Sequence, residues 1–296
     1  MHEELTDRWA RWLLGGREGG DRQAREWALS GLRGMRDAVL ERAAIQAGDV
    51  VLDVGAGDGL IAFGALERVA PGGRVIFGDV SRTLLDHCRQ AAVELGVSHR
   101  CGFLECSAED LRGIRDGSVD VVTTRSVLIY VADKERALSE FYRVLKPGGR
   151  ISLWEPINRL MFPEARGLWN GYDVRDVQDL ADRVVAAAVA DGRPGLEPMV
   201  GFDDRDLFDM ARKAGFMPAH LNLRRDLETR REPRSWEGFV RSAPNPLAPT
   251  FGEVIDRALT EGERKRFAAC LRPQVEEGLR VVAMAYAQVW GEKPDR

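Results

Sequence analysis

Val51-Leu52-Asp53-Val54-Gly55-Ala56-Gly57-Asp58-Gly59 passes from an apolar run into a ladder of glycines. A short apolar segment that ends in glycine reads as a strand buried on both faces of a parallel sheet. Glycine at every second position lets the backbone turn sharply and come close to a ligand. The helix predicted from Leu60 points its first N–H groups at the same place. In an open α/β sheet, ligands bind at this carboxyl edge of the strands. The spacing is informative in itself. A dinucleotide fingerprint is G-x-G-x-x-G, with the pyrophosphate on the helix N-terminus. Here it is G-x-G-x-G, and Asp53 stands two positions ahead of the first glycine. A carboxylate there favours an ammonium group, directly or through water, and suits a zwitterionic amino-acid ligand better than a pyrophosphate.

Working outward, Arg74 to Asp79 reads as a second strand that delivers Asp79 to the same edge, 20 residues past Gly59. A carboxylate at that exposed strand end can accept from two ribose hydroxyls, and it would repel a 2′-phosphate. Ser81 is placed to cap the next helix, with Leu84, Leu85, Cys88 and Leu95 turned inward. Gly102–Cys106, Val119–Thr124 and Ile151–Glu155 continue as strands three to five. Lys146-Pro147-Gly148-Gly149 stops the helix before the fifth. This β-α-β rhythm predicts an α/β fold, a doubly wound Rossmann-like sheet with helices on both faces.

The flanks are helical. Leu5, Trp9, Trp12 and Leu13 make one stripe, and Ala28, Leu32, Met35 and Val39 a second. Gly15–Gly20 separates them. We read residues 1–46 as an N-terminal helical cap and 47–296 as the main domain, with insertions at about 156–199 and 232–277. The first insertion holds a helix over Val177–Ala188. The second holds two Thr-x-x-Glu capping boxes, Thr250/Glu253 and Thr260/Glu263, and therefore at least two helices. Between them Asp203 caps a helix that Gly215 ends. Ala219–Leu223 and Leu279–Trp290 are the remaining strand candidates. Cap and insertions together are expected to form a lid over the carboxyl edge.

Composition narrows the function. The 296 residues carry 43 Lys and Arg against 47 Asp and Glu, a net charge of −4. A general nucleic-acid binder would show a basic surplus, so no nucleic-acid partner is expected. Arg224-Arg225 and Arg230-Arg231 are diluted by Asp226, Glu228 and Glu232 and read as a solvated face. No apolar run approaches the roughly 20 residues of a membrane span, and Met1-His2-Glu3-Glu4 leads into no apolar segment. A cytoplasmic protein without a membrane partner is therefore expected. Cys88, Cys101, Cys106 and Cys270 include no C-x-x-C pair, so we expect free thiols and no metal.

In this order and spacing the chain resembles the class I S-adenosylmethionine-dependent methyltransferases, in particular the group around the ubiquinone/menaquinone-biosynthesis enzymes. The residues that carry the likeness lie between about Ala47 and Pro156. They are the glycine loop, Gly78-Asp79-Val80-Ser81, Cys106-Ser107-Ala108-Glu109-Asp110-Leu111, Asp116-Gly117-Ser118-Val119-Asp120-Val121-Val122 and Leu145-Lys146-Pro147-Gly148-Gly149. The resemblance implies a seven-stranded sheet whose last strand is antiparallel, and S-adenosylmethionine as cofactor. It assigns Gly55, Ala56, Gly57 and Gly59 to the methionine side of the cofactor, Asp79 to the ribose and Val80 to the adenine. Ala108 and Glu109 would face the adenine edge, with Ser107 standing where many relatives have an acidic residue. Arg125 and Ser126 would offer backbone contacts near the sulfonium.

Methyl transfer from a sulfonium is an in-line displacement that needs alignment above all. A base is required only when the acceptor must lose a proton, and no catalytic dyad is visible. Topology nominates Tyr130, which stands where many relatives have His, and Glu155 for the acceptor pocket. Asn170, Tyr172, His220 and Trp236 are further candidates. A helical, Trp-containing roof of near-neutral charge suits a small organic acceptor, such as a natural-product intermediate. The alternatives are a non-catalytic methyltransferase-like partner and, against the glycine spacing, a nicotinamide-dependent oxidoreductase. Oligomeric state is not legible.

Overall fold

The computed structural model describes residues 8–162, 164–190 and 196–295. Five strands, β1 (Val50–Val54), β2 (Arg74–Asp79), β3 (Cys101–Glu105), β4 (Val119–Arg125) and β5 (Leu145–Pro156), pair in parallel in the order 3-2-1-4-5. The chain then forms a short hairpin, β6 (Leu168–Trp169) and β7 (Tyr172–Asp173), apart from the main sheet. Two long strands, β8 (Ala219–Arg231) and β9 (Leu279–Glu292), complete the seven-stranded sheet in the order β5-β9-β8. β9 runs antiparallel to both neighbours. The fold is the expected doubly wound Rossmann-like sheet with its last strand reversed.

Alternation along the strands sends side chains to two cores. Val51, Val75, Phe77 and Val121 face α1 (Arg22–Arg42) and α2 (Leu60–Arg68), through Val39, Leu40, Ile61 and Ala65. Leu52, Val54, Val122 and Ile151 face the opposite way. There α4 (Lys134–Val144) and α7 (Asp204–Ala214) supply Leu138, Phe141, Leu207 and Ala211. The intervening helices are α3 (Arg82–Glu94), α5 (Gln178–Ala190) and α6 (Leu196–Val200). Ser81 caps α3 by accepting from the Leu84 N–H at 3.2 Å, as its position predicts.

The two insertions share a third core. Trp169, Tyr172, Val177, Leu180 and Val184 from the first pack against Phe239, Val254, Phe267 and Leu271 from the second. The latter sit on α8 (Trp236–Arg241), α9 (Phe251–Ala258) and α10 (Glu261–Glu277). Both predicted Thr-x-x-Glu boxes form, at the starts of α9 and α10.

Two expectations change. β8 extends eight residues beyond Leu223, because Arg224–Arg231 pairs with Leu279–Tyr286. Its charged residues give no apolar alternation, and the strand is set by its partner. The arginines there do face solvent, with Arg224 on Asp226 and Arg231 on Glu277. The N-terminal segment also divides. α1 docks on the flank of the sheet, where the Ser152 hydroxyl donates to the Val39 carbonyl at 2.7 Å. Residues 8–17 instead lie over the carboxyl edge.

Candidate functional site

Val54 delivers the chain to the sheet edge, and three left-handed glycines turn it: Gly55 (φ +70), Gly57 (φ +57) and Gly59 (φ +87). Side chains are excluded here on steric grounds as well. A Cβ on Gly55 would lie 2.2 Å from Val127, and one on Gly59 2.4 Å from Phe63. The Gly55 and Ala56 amides both donate to the Gly78 carbonyl, at 2.7 and 2.9 Å. The loop is thereby fixed against the end of β2.

Asp79 completes this tie. Its two oxygens accept from the Gly57 and Ser81 amides, each at 2.8 Å. The residue is 6 % exposed and lines the cavity, so it is not the free strand end expected from sequence. Burial raises its pKa against the pull of those amides. Each carboxylate oxygen has two lone pairs, so a further acceptor position remains on each for a diol. The site thus fits a ribose, with the glycine loop preorganised by the same carboxylate.

The cavity, about 480 Å³, opens along this edge. Of the residues named from sequence, Gly55, Ala56, Gly57, Asp79, Val80, Ser107, Ala108, Glu109, Arg125, Ser126 and Tyr130 line it. Val80 is exposed, as a platform for a planar ring requires. The Glu109 carboxylate is turned partly away, accepting from the Asp133 amide at 2.7 Å. Ser126 adopts φ +56, a conformation rare outside glycine. Its amide donates to the Trp154 carbonyl at 2.8 Å. Strain of this kind is held where surrounding structure over-determines the backbone.

Asp53 and Gly59 do not line the cavity. Asp53 is fully buried and accepts from the Thr123 hydroxyl at 2.8 Å, while its Oδ2 has no hydrogen-bond partner among the described residues. Burial pushes its carboxyl up to about 7. Glu155, nominated for the acceptor pocket, is a correction. Its side chain does not line the cavity and is fully buried. One oxygen accepts from the Val127 and Leu128 amides at 3.0 Å, the other from Ile129 at 3.2 Å. It therefore holds the turn Leu128–Tyr130 that presents Tyr130. Burial drives the Tyr130 phenol far above its ordinary range. It stays neutral, able to donate a hydrogen bond and unsuited to act as a base. Burial also pushes the Cys106 thiol, on the cavity wall, up to about 12.

Asn170, Tyr172, His220 and Trp236 are not brought to the cavity. Tyr172 is buried in the insertion core, Trp236 packs on Phe239, and His220 stacks on Trp290 at 5.2 Å between centroids.

The roof comes from the N-terminal segment. Trp9 meets Tyr130 edge-on at 4.7 Å, and the Trp12 indole donates to the Ala243 carbonyl at 2.9 Å. Trp12–Gly16 is a π-helical turn, a feature found frequently at functional sites. Leu13 from this turn would lie 3.3 Å from a Cβ on Gly57. Asp21 accepts from the Ser235 amide at 2.7 Å, which ties the segment to the second insertion. Arg17, Asn158, Met161, Phe162, Met199 and Asn245 also line the cavity. Sequence analysis missed all six. They come from segments without a motif, and the expected lid of cap and insertions pointed to the regions but not to the residues.

Residues 52–153 match the methyltransferase-domain family model. Over 118 residues the chain is 38 % identical to the tRNA 5-carboxymethoxyuridine methyltransferase of Escherichia coli, covering 40 % of this chain and 41 % of that protein. Over 113 residues it is 37 % identical to the ubiquinone/menaquinone biosynthesis C-methyltransferase UbiE of Xylella fastidiosa, covering 38 % and 44 %. The chain thus spans less than half the length of these relatives. Geranyl diphosphate methyltransferase, solved with S-adenosylmethionine, shares the fold with a TM-score of 0.50 at 16 % identity, covering 88 % of this chain and 84 % of that one. Glycine loop, carboxylate-ended β2 and strand order agree with the family match, and residues 52–153 carry a methyltransferase domain.

Proposed function

We propose that this chain transfers a methyl group from S-adenosylmethionine to a small organic acceptor, a natural-product intermediate being one candidate. The observation that carries the reading is one cavity with two kinds of wall: backbone and Asp79 around the glycine loop, and the apolar and aromatic side chains Tyr130, Met161, Phe162, Trp9 and Trp12. A cavity of this size, mostly apolar with a few placed polar groups, is the form small-molecule sites take.

The bound cofactor would supply a methyl group on a sulfonium leaving group. The chain's own residues hold and orient. Asp79 fixes the loop and receives the ribose, Glu155 holds the Leu128–Tyr130 turn, and Trp9 and Trp12 close the roof against water. The described lining residues include no histidine, and Tyr130 stays protonated. This favours an acceptor already nucleophilic near neutral pH, such as a carboxylate, an acidic phenol or an electron-rich carbon. The UbiE relatives, named for C-methylation, are compatible with that class.

Calorimetry tests the cofactor half. S-adenosylhomocysteine should bind at micromolar levels and NAD poorly; NAD binding the tighter of the two overturns it. Incubation with methyl-labelled S-adenosylmethionine and a panel of small acids and phenols tests the other half. Label entering RNA or protein in preference to the panel would overturn the small-acceptor reading.

A further inference from the structure

Asn158 carries an amide that the fold buries and leaves without a partner among the described residues. It stands two residues past the end of β5 and opens the turn Asn158–Leu160. It is 9 % exposed and lines the cavity. Its side chain makes no hydrogen bond among the described residues, yet it is not sealed in the core. The sealed side-chain atoms without a partner there belong to Asp53, Thr124, Arg150 and Arg234. What stays open of the Asn158 amide therefore faces the cavity.

The main chain around it is held on both sides. The Ile157 amide donates to the Ala285 carbonyl of β9 at 2.9 Å, and the Asn158 carbonyl accepts from the Met161 and Phe162 amides at 2.9 and 3.0 Å. Strand order separates Asn158 from Asp79. β5 lies three places from β2 in the sheet, roughly 14 Å at about 4.8 Å per strand. A second amide, Asn245, lines the cavity from the second insertion. Its Oδ1 accepts from the Leu247 amide at 2.9 Å, which leaves the NH2 group as a donor for a ligand.

A buried amide without a partner selects against any ligand group that cannot answer it. Asn158 can both donate and accept, and a hydroxyl answers it in either orientation. Asn245 can only donate, which calls for a carbonyl or ether oxygen. Tyr130, Trp9 and Trp12 supply aromatic surface for a ring in the same cavity.

We propose that Asn158 determines acceptor specificity by pairing with a hydroxyl on a ring compound, and that Asn245 donates to a second oxygen of that compound. The inference rests on the methyl-transfer reading for the cavity's role and narrows its acceptor to a hydroxyl-bearing ring.

The test is calorimetry on the full chain saturated with S-adenosylhomocysteine, and on Asn158→Leu and Asn245→Asp. The probes are 4-hydroxyacetophenone, 4-methylacetophenone, which lacks the hydroxyl, and 4-ethylphenol, which lacks the carbonyl. The unsubstituted protein should bind 4-hydroxyacetophenone more tightly than 4-methylacetophenone by roughly fivefold to a hundredfold. Asn158→Leu, close in volume, should bind those two alike and keep its affinity for S-adenosylhomocysteine. Asn245→Asp keeps the oxygen that serves Leu247 and removes the donor. It should lose only the preference for 4-hydroxyacetophenone over 4-ethylphenol, and retention of that preference removes Asn245 from the proposal. An unsubstituted protein that binds none of the probes, or binds the hydroxyl and methyl compounds alike, overturns the role of Asn158. So does an Asn158→Leu variant that keeps the preference. Asn158→Ala carries the same expectation should Asn158→Leu fail to fold. Failure of S-adenosylhomocysteine to bind would instead strike the methyl-transfer reading, and the same comparisons without nucleoside then decide the role of Asn158.

Discussion

Asp79 ties the glycine loop to β2 at the position where the proposed function places the ribose. Its oxygens already take the Gly57 and Ser81 amides, so Asp79→Ala removes more than a ribose contact. A hydrogen bond to a charged group contributes about 1.5–3 kcal/mol. Asp79→Ala should weaken S-adenosylhomocysteine binding roughly tenfold to a hundredfold, since about 1.4 kcal/mol is tenfold. It should also lower the thermal midpoint, because two buried amides lose their acceptor. Binding unchanged within twofold would remove Asp79 from the cofactor site. The sequence placed this residue at the right edge of the right strand. It could not show the amide contacts, which depend on how the glycine loop folds back on β2. Glu155 illustrates the converse. Its position at the end of β5 was legible, but its direction depends on three amides of a turn some 27 residues earlier in the chain.

Asp53 yields a pH prediction at the same scale. Its folded pKa, about 7, lies above the ordinary value of 3.8. Between those values the folded state holds a proton that the unfolded state has lost. Stability from this group is therefore fully present below about pH 4 and is lost as pH rises through about 7, by up to about 1.4 kcal/mol per pH unit. Asp53→Asn keeps an acceptor for Thr123 and never ionises. It should melt above the unsubstituted protein at pH 8, with the gap shrinking toward pH 5. Parallel melting curves across that range would show that burial does not set this titration.

At the scale of elements, the N-terminal segment behaves as two pieces. α1 belongs to the flank of the sheet, through Val39 and Leu40. Residues 8–20 belong to the cavity and the second insertion, through Trp9, Trp12, Leu13, Arg17 and the Asp21–Ser235 contact. The sequence showed both helical stripes but not this division, because periodicity says that a face is buried and not against what. Deleting residues 1–20 should therefore abolish most turnover and weaken S-adenosylhomocysteine binding, with the thermal midpoint falling by only a few degrees, as lids detach at modest cost. Full activity after the deletion, or loss of the whole fold, would place the segment with the flank instead. β8 makes a related point. Strand identity over Arg224–Arg231 came from pairing with β9, a non-local fact that no local pattern of charges carries.

Across the whole molecule, the β-α-β rhythm over residues 50–156 is the part most open to reading, since local apolar runs and glycine spacing fix it. The insertions were legible as helices through their capping boxes, yet their shared core was not. That core joins Trp169 and Tyr172 to Phe239 and Phe267 across some 70 to 100 residues of chain. It is a separate apolar cluster from the two that flank the sheet. Cooperative units tend to follow such clusters. Amide exchange should therefore open the 164–190 and 232–277 regions together, at a lower free energy than β1, β2 and β4. The cavity roof draws Trp12 onto Ala243 of this same unit. Saturating S-adenosylhomocysteine should consequently slow exchange at 8–20 and 236–258 as well as at the glycine loop, while the innermost strand amides gain less. Protection confined to the glycine loop and β2 would mean that the roof does not respond to the cofactor, and that the insertions are a scaffold independent of the site.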